Sequence, residues 1–128
     1  MNKKDRQIIF DKYDGHCAYC GEILILKPLH VDHIIPQANF MWHIDNNYKI
    51  PPFLQHLTIY DLNHIDNLFP TCGVCNRWKS TFDIETFRNE IFMQTDRLCK
   101  YSASFRMAKR YSLVQYTFNP VVFYFEKH

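Results

Sequence analysis

Two Cys-x-x-Cys pairs, Cys17/Cys20 and Cys72/Cys75, bracket an Asp32-His33 dipeptide, and Asn76 follows directly on the last of these cysteines. A two-residue spacer lets both sulfurs of a pair turn toward one point, so the two pairs together form the donor set of one tetrahedral structural zinc ion. Gly21 and Gly73 supply small residues where the knuckles must turn sharply. Closure around zinc would draw residue 17 next to residue 75 and bring Asp32, His33 and Asn76 within reach of one another. Asp32 and Asn76 offer oxygen ligands, a pairing that favours magnesium or manganese over softer ions. His33 is then left to act as a base, because imidazole is the side chain that takes and gives a proton near neutral pH. A metal that holds a phosphate beside a base that deprotonates water suits phosphodiester hydrolysis. A further carboxamide, Asn67, stands in the stretch before the second knuckle.

The elements that must position these groups are partly legible. Residues 3–13 read as an amphipathic helix that stops at Asp14-Gly15. Glu22 to Leu26 and Pro28 to Ile35 are apolar, β-rich runs, the second of which contains Asp32-His33. Adjacent residues on a regular strand face opposite ways, so both can serve one site only near a strand end, a bulge or a strong twist. Residues 37–65, with Trp42, Tyr48, Phe53, Tyr60 and Pro51-Pro52, read as an insertion with short helical turns. Asn67-Leu68-Phe69-Pro70 reads as a loop, and a helix is expected to start near Asn76, with Asn76, Lys79 and Ser80 on one face. From about Asp83, Ile84, Ile91, Leu98 and Phe105 recur every seven positions, which predicts a long helical region broken near Ser102–Ser104. Val121-Val122-Phe123-Tyr124-Phe125 reads as a closing or edge strand.

At 128 residues, with 47% hydrophobic and 16% aromatic content, the chain has the length of one folded domain and no low-complexity run. The start of the sequence lacks the apolar stretch of a signal peptide and no run is long enough to span a bilayer, so a cytoplasmic protein without membrane partners is expected. There the cysteine pairs are expected to ligate metal, and the odd cysteine, Cys99, fits no fully paired disulfide framework. Net charge is only +2, but Arg97, Lys100, Arg106, Lys109 and Arg110 fall in a segment free of acidic residues. Such a cationic stretch is either a solvated helix face or a contact for a phosphate backbone.

Four ordered blocks resemble the HNH family of nucleases: Cys17-Ala18-Tyr19-Cys20-Gly21, Val31-Asp32-His33-Ile34-Ile35-Pro36, Asp66-Asn67-Leu68 and Cys72-Gly73-Val74-Cys75-Asn76-Arg77-Trp78-Lys79. The resemblance implies an α+β fold with a ββα-metal core stapled by a four-cysteine zinc site, an N-terminal helix and a C-terminal helical extension. It implies that Asp32 binds the catalytic ion, that His33 is the general base, that Asn67 orients His33 and that Lys79 faces the phosphate backbone. Asn76 takes the place of the last histidine of the family name, with magnesium or manganese as the expected catalytic ion. The implied activity is metal-dependent cleavage of DNA leaving 5′-phosphate and 3′-hydroxyl ends, with Arg106, Lys109 and Arg110 as further DNA contacts. One such site cuts one strand, so double-strand cleavage requires a homodimer or two successive nicks.

Two other readings remain: a non-catalytic zinc module that binds nucleic acid or a protein partner, and a thiol-redox protein. His16, His30, His43, His56 and His64 follow no metal-ligand spacing and are expected to be ordinary surface or core residues.

Overall fold

The computed structural model describes residues 1–128. Helix α1 (Lys3–Asp11) starts at Asn2, whose side chain accepts the Asp5 amide at 2.8 Å, and ends before the left-handed turn at Asp14 and Gly15. Strand β1 (His30–His33) pairs antiparallel with β2 (Leu68–Thr71), in the register His30–Thr71, Val31–Pro70, Asp32–Phe69 and His33–Leu68. The insertion between the strands holds α2 (Phe40–Asp45) and 3-10 turns at Pro52–Leu54 and Ile65–Asn67. It is also part of the interior, since Phe40, Leu54 and Leu57 join the hydrophobic cluster around Tyr19, Ile34, Ile35, Phe69 and Phe87. Helix α3 (Gly73–Lys79) follows β2 at once and lies against β1, which completes a β-β-α core.

Three sequence expectations give way here. The partner of β1 is the segment read as a loop. Pro70 hides it, yet its carbonyl accepts the Ala18 amide at 2.9 Å, so the amide position of residue 70 points away from β1 and its missing N–H costs that ladder nothing. The 22–26 run contributes only an isolated bridge, His16 to Ile23, and leaves Ile23 and Ile25 exposed. Helix α3 starts three residues earlier than expected, at Gly73, because the Cys72 sulfur caps it by accepting the Cys75 amide at 3.4 Å.

Beyond α3 the predicted long helix is three, α4 (Ile84–Phe92), α5 (Gln94–Tyr101) and α6 (Ala103–Arg110). The break falls at Ser102, as expected, and Ser102 accepts the Phe105 amide at 3.1 Å to start α6. A second break at Met93 takes the seven-residue stripe off the core, so Ile84 and Phe87 are buried whereas Leu98 is exposed.

The C-terminal 121–125 run is not a strand. It lies along the first knuckle, where Tyr124 and Phe125 donate their amides to Tyr19 and Ala18 at 2.9 and 2.8 Å, and then enters a 3-10 turn at Tyr124–Glu126. Arg88 clamps it, donating to the Val121 carbonyl at 2.6 Å and to Glu126 at 2.7 Å, with the guanidinium 4.8 Å above the Phe123 ring. The Arg88 hydrogen bond holds the Glu126 carboxyl below its ordinary value of 4.5. A depressed acid stabilises the fold above its unfolded value and stops doing so as pH falls through its folded value. The tail is therefore expected to loosen as pH drops below the ordinary glutamate range, read as new protease cleavage after residue 120, and an Arg88→Ala variant should show that cleavage already at neutral pH.

Candidate metal centre and active site

The four knuckle sulfurs gather into one cluster in which all four lie within 4.8 Å of one another, with Cys20 and Cys72 Sγ 3.8 Å apart. A tetrahedral zinc ion with Zn–S bonds of about 2.3 Å sets its sulfurs roughly 3.8 Å apart. The cluster is thus dimensioned for zinc, and its place near the sheet is consistent with a structural site. Without a cation its charges conflict. The hydrogen bond from Cys75 draws the Cys17 thiol down to about 4, while burial and the Cys17 charge push Cys20 up to about 11. The same hydrogen bond with Cys17 drives Cys75 far upward. Four thiolates at this spacing require a dication to coexist.

Gly21 completes the first knuckle at φ +81°, and a Cβ there would come within 2.7 Å of the Tyr124 ring. Inside that knuckle Tyr19 is buried, edge-on to Phe69, Phe87 and Phe123, and its hydroxyl donates to Asp32 Oδ2 at 2.6 Å. The residue inside the first cysteine knuckle therefore grips the carboxylate on β1.

Asp32 is buried, at 4% exposure, and its second partner is Lys79, which is 0% exposed. The Lys79 ammonium lies 3.1 Å from Asp32 Oδ1 and 3.0 Å from Oδ2, and donates to the His33 carbonyl at 2.9 Å. This corrects the expectation that Lys79 meets the phosphate backbone. α3 lies on β1, so the face carrying Cys75 and Lys79 turns inward. Burial pushes the Asp32 carboxyl up and the Lys79 ammonium down, and each charge offsets part of the other's shift. Removing one member of a buried pair strands the other charge, so Lys79→Met is expected to cost about 3–5 kcal/mol in denaturant unfolding. Replacing Asp32 by Leu in the same chain should recover much of that loss.

His33 ends β1 and is half-buried, so the strand end supplies the required irregularity. Its Nε2 lies 2.9 Å from Asn63 Oδ1. A carboxamide oxygen only accepts, so Nε2 is the donor in this contact, which in the neutral ring leaves the lone pair on Nδ1. Asn67, the expected orienting residue, makes no side-chain hydrogen bond to His33. Fully buried, it accepts the Ile35 amide at 2.8 Å and donates to the carbonyls of Ile35 and Leu62 at 3.3 and 2.9 Å. Asn67 thus fixes the backbone just past β1, while Asn63, four residues earlier and without any motif signal, meets the ring.

Asp32, His33 and Asn76 line one cleft of about 180 Å³, together with Val31, Pro36, Gln37, Ala38, Ser80 and Thr81. Asn76 sits within α3 rather than capping it, outside the network that holds Asp32. Among the cleft's lining residues are one carboxylate and one carboxamide, side chains whose oxygens are hard donors of the kind that suits magnesium or manganese. The cleft is small and polar, unlike a hollow of about 540 Å³ between Lys49–Phe53 and Asp83–Arg88, which carries none of these groups.

The expected DNA contacts lie on α6 and differ in freedom. Arg106 caps the end of α5 by donating to the Cys99 and Lys100 carbonyls at 3.0 and 2.9 Å, and Lys109 lies 4.7 Å from the Tyr116 ring centre. Arg97 is engaged by Glu90 at 2.8 Å, which removes it from the cationic run. Arg110 is exposed and forms no ion pair.

The strands, α3 and the cysteine cluster together compose a ββα arrangement consistent with an HNH-type nuclease site. Comparison of the chain with protein-family models, curated proteins and solved structures finds no match. No helix is long and apolar enough to cross a membrane.

Proposed function

We propose that this chain is an HNH-type, metal-dependent DNA endonuclease built as one nuclease domain. The observation that carries the reading is the shared cleft of Asp32, His33 and Asn76. His33 Nδ1 accepts a proton from water as the water oxygen bonds to phosphorus, and the bond from phosphorus to the 3′ oxygen breaks. Asn63 holds the ring in the tautomer this requires. Asp32 and Asn76 would hold a divalent ion, which would stabilise the charge on the phosphate and the leaving oxygen. Lys79 fixes the Asp32 carboxylate and the His33 carbonyl together.

The Lys79 ammonium already matches the Asp32 charge, so the cleft in the free protein has no excess negative charge. Magnesium sites commonly combine one or two carboxylates with substrate phosphates. The ion is accordingly expected to bind weakly to the free protein and to be completed by DNA. The same ion pair favours a second reading, an idle centre in a zinc module that binds nucleic acid without cutting it.

Incubation with supercoiled plasmid separates the two. Nicking with magnesium or manganese that stops on chelation supports the enzyme, and binding without nicking supports the module. On either reading the α6 cations meet the backbone. Neutralising Arg106, Lys109 and Arg110 together should flatten the slope of log affinity against log salt by roughly 0.9 for each phosphate that is no longer neutralised. An unaltered slope would exclude this helix as a DNA-binding surface.

A further inference from the structure

We propose that His56, His64 and Asp66 form a second metal site, distinct from the cysteine cluster and from the Asp32 cleft, for a borderline divalent ion of the zinc type. Their spacing along the chain follows no ligand pattern, and the fold makes the cluster. His56 Nε2 lies 2.8 Å from Asp66 Oδ2, and His64 Nδ1 lies 3.7 Å from the same oxygen. The three ligand atoms all fall within 4.8 Å of one another. A tetrahedral ion with bonds of about 2.0–2.1 Å holds its ligands roughly 3.3–3.4 Å apart. The first pair must open and the second close by fractions of an ångström, which side-chain rotation supplies.

Both arms of the cluster are anchored. His56 stands between Leu54 and Leu57, both buried, which turns it outward, and Asp66 precedes the buried Asn67. His64 Nδ1 accepts the Asp66 amide at 3.0 Å, so the ring is already the tautomer whose Nδ1 lone pair faces Asp66. An ion takes the place of that amide as the partner of the lone pair. Lys12, whose charge interacts with Asp66, does not fill the site, because its ammonium is held by the Ile65 and Leu68 carbonyls. The side chains are open to solvent at 53%, 39% and 46%, which gives an ion an entry path. Two imidazoles and one carboxylate select zinc, nickel or cobalt over magnesium, and three protein ligands leave a position for water.

The segment so cross-linked also carries Asn63, the partner of His33. An ion here would stiffen the support of the catalytic base, a consequence that rests on the nuclease reading, whereas the site itself does not.

The test is zinc stoichiometry of the full chain by equilibrium dialysis. Wild type should hold one zinc on the cysteines and bind a second equivalent. His56→Ala should lose the second and keep the first, and so should Asp66→Asn. His56 makes one hydrogen bond and is half exposed, so its removal leaves the fold intact. A single equivalent in wild type would overturn the proposal, as would a second equivalent that survives both substitutions or is lost instead in Asp32→Asn. Absence of nicking would leave these stoichiometries unchanged, so the two readings fail separately.

Discussion

His33→Ala is expected to keep its zinc and its fold while plasmid nicking falls by about 10²–10⁴-fold, the usual worth of a positioned general base. The side chain is half-buried and makes a single hydrogen bond, to Asn63, so its loss should change unfolding free energy by no more than about 1 kcal/mol. That separation matters because the other polar groups of the site double as structure. Asp32 is buried with Tyr19 and Lys79, and Asn67 fastens the chain beyond β1, so substitutions there confound catalysis with folding. Cleavage assays on matched amounts of zinc-loaded protein check the result. Undiminished nicking by the variant would remove His33 from the role of base.

Cys72→Ala should have the largest effect on stability. Structural zinc contributes an apparent 10–16 kcal/mol in small zinc-finger peptides, at roughly neutral pH, against a total stability of about 5–15 kcal/mol for an ordinary domain. This chain buries only 23 of its 128 residues, so little else compensates. Cys72 is also the cap of α3, and its loss frees the end of the helix that carries Asn76 and Lys79. Metal analysis and thermal unfolding followed by circular dichroism should show both zinc and the cooperative transition gone. A variant that melts at the wild-type temperature with its zinc retained would contradict the stapling role. The same experiment bears on the site, because Tyr19 transmits the knuckle's position to Asp32 through a 2.6 Å hydrogen bond.

The covalent logic of the chain is legible in the sequence where spacing carries it. Cys-x-x-Cys pairs must form knuckles, and closing them predicts the convergence of Asp32, His33 and Asn76 on one cleft. Helix α1 and the break at Ser102 are equally visible, since caps and turn residues act locally. What stays hidden depends on tertiary context. Pro70 argues against a strand unless one knows that its nitrogen faces away from β1. The apolar 22–26 and 121–125 runs have strand composition but find no ladder, and the second serves the core as an irregular strap under Arg88.

Side-chain direction is harder still. Lys79 shares a helical face with groups of the site, yet only the packing of α3 on β1 reveals that its charge is consumed by Asp32. Asn63 and Tyr19 carry no motif signal of their own, although Tyr19 lies between two ligands and inherits their fixed position. The histidines of the insertion have no ligand spacing along the chain. The fold brings two of them to one carboxylate, a convergence set by distance in space rather than separation in sequence.

The most direct test of the proposed site is nuclear magnetic resonance of the His33→Ala variant, which keeps both ion ligands, titrated with manganese beside a DNA duplex. Paramagnetic broadening should centre on the Asn76 side-chain amide and on the backbone of Asp32, and it should strengthen when DNA is added. Broadening that leaves Asn76 sharp, and gathers on His56 and His64 instead, would contradict an ion held by Asp32 and Asn76.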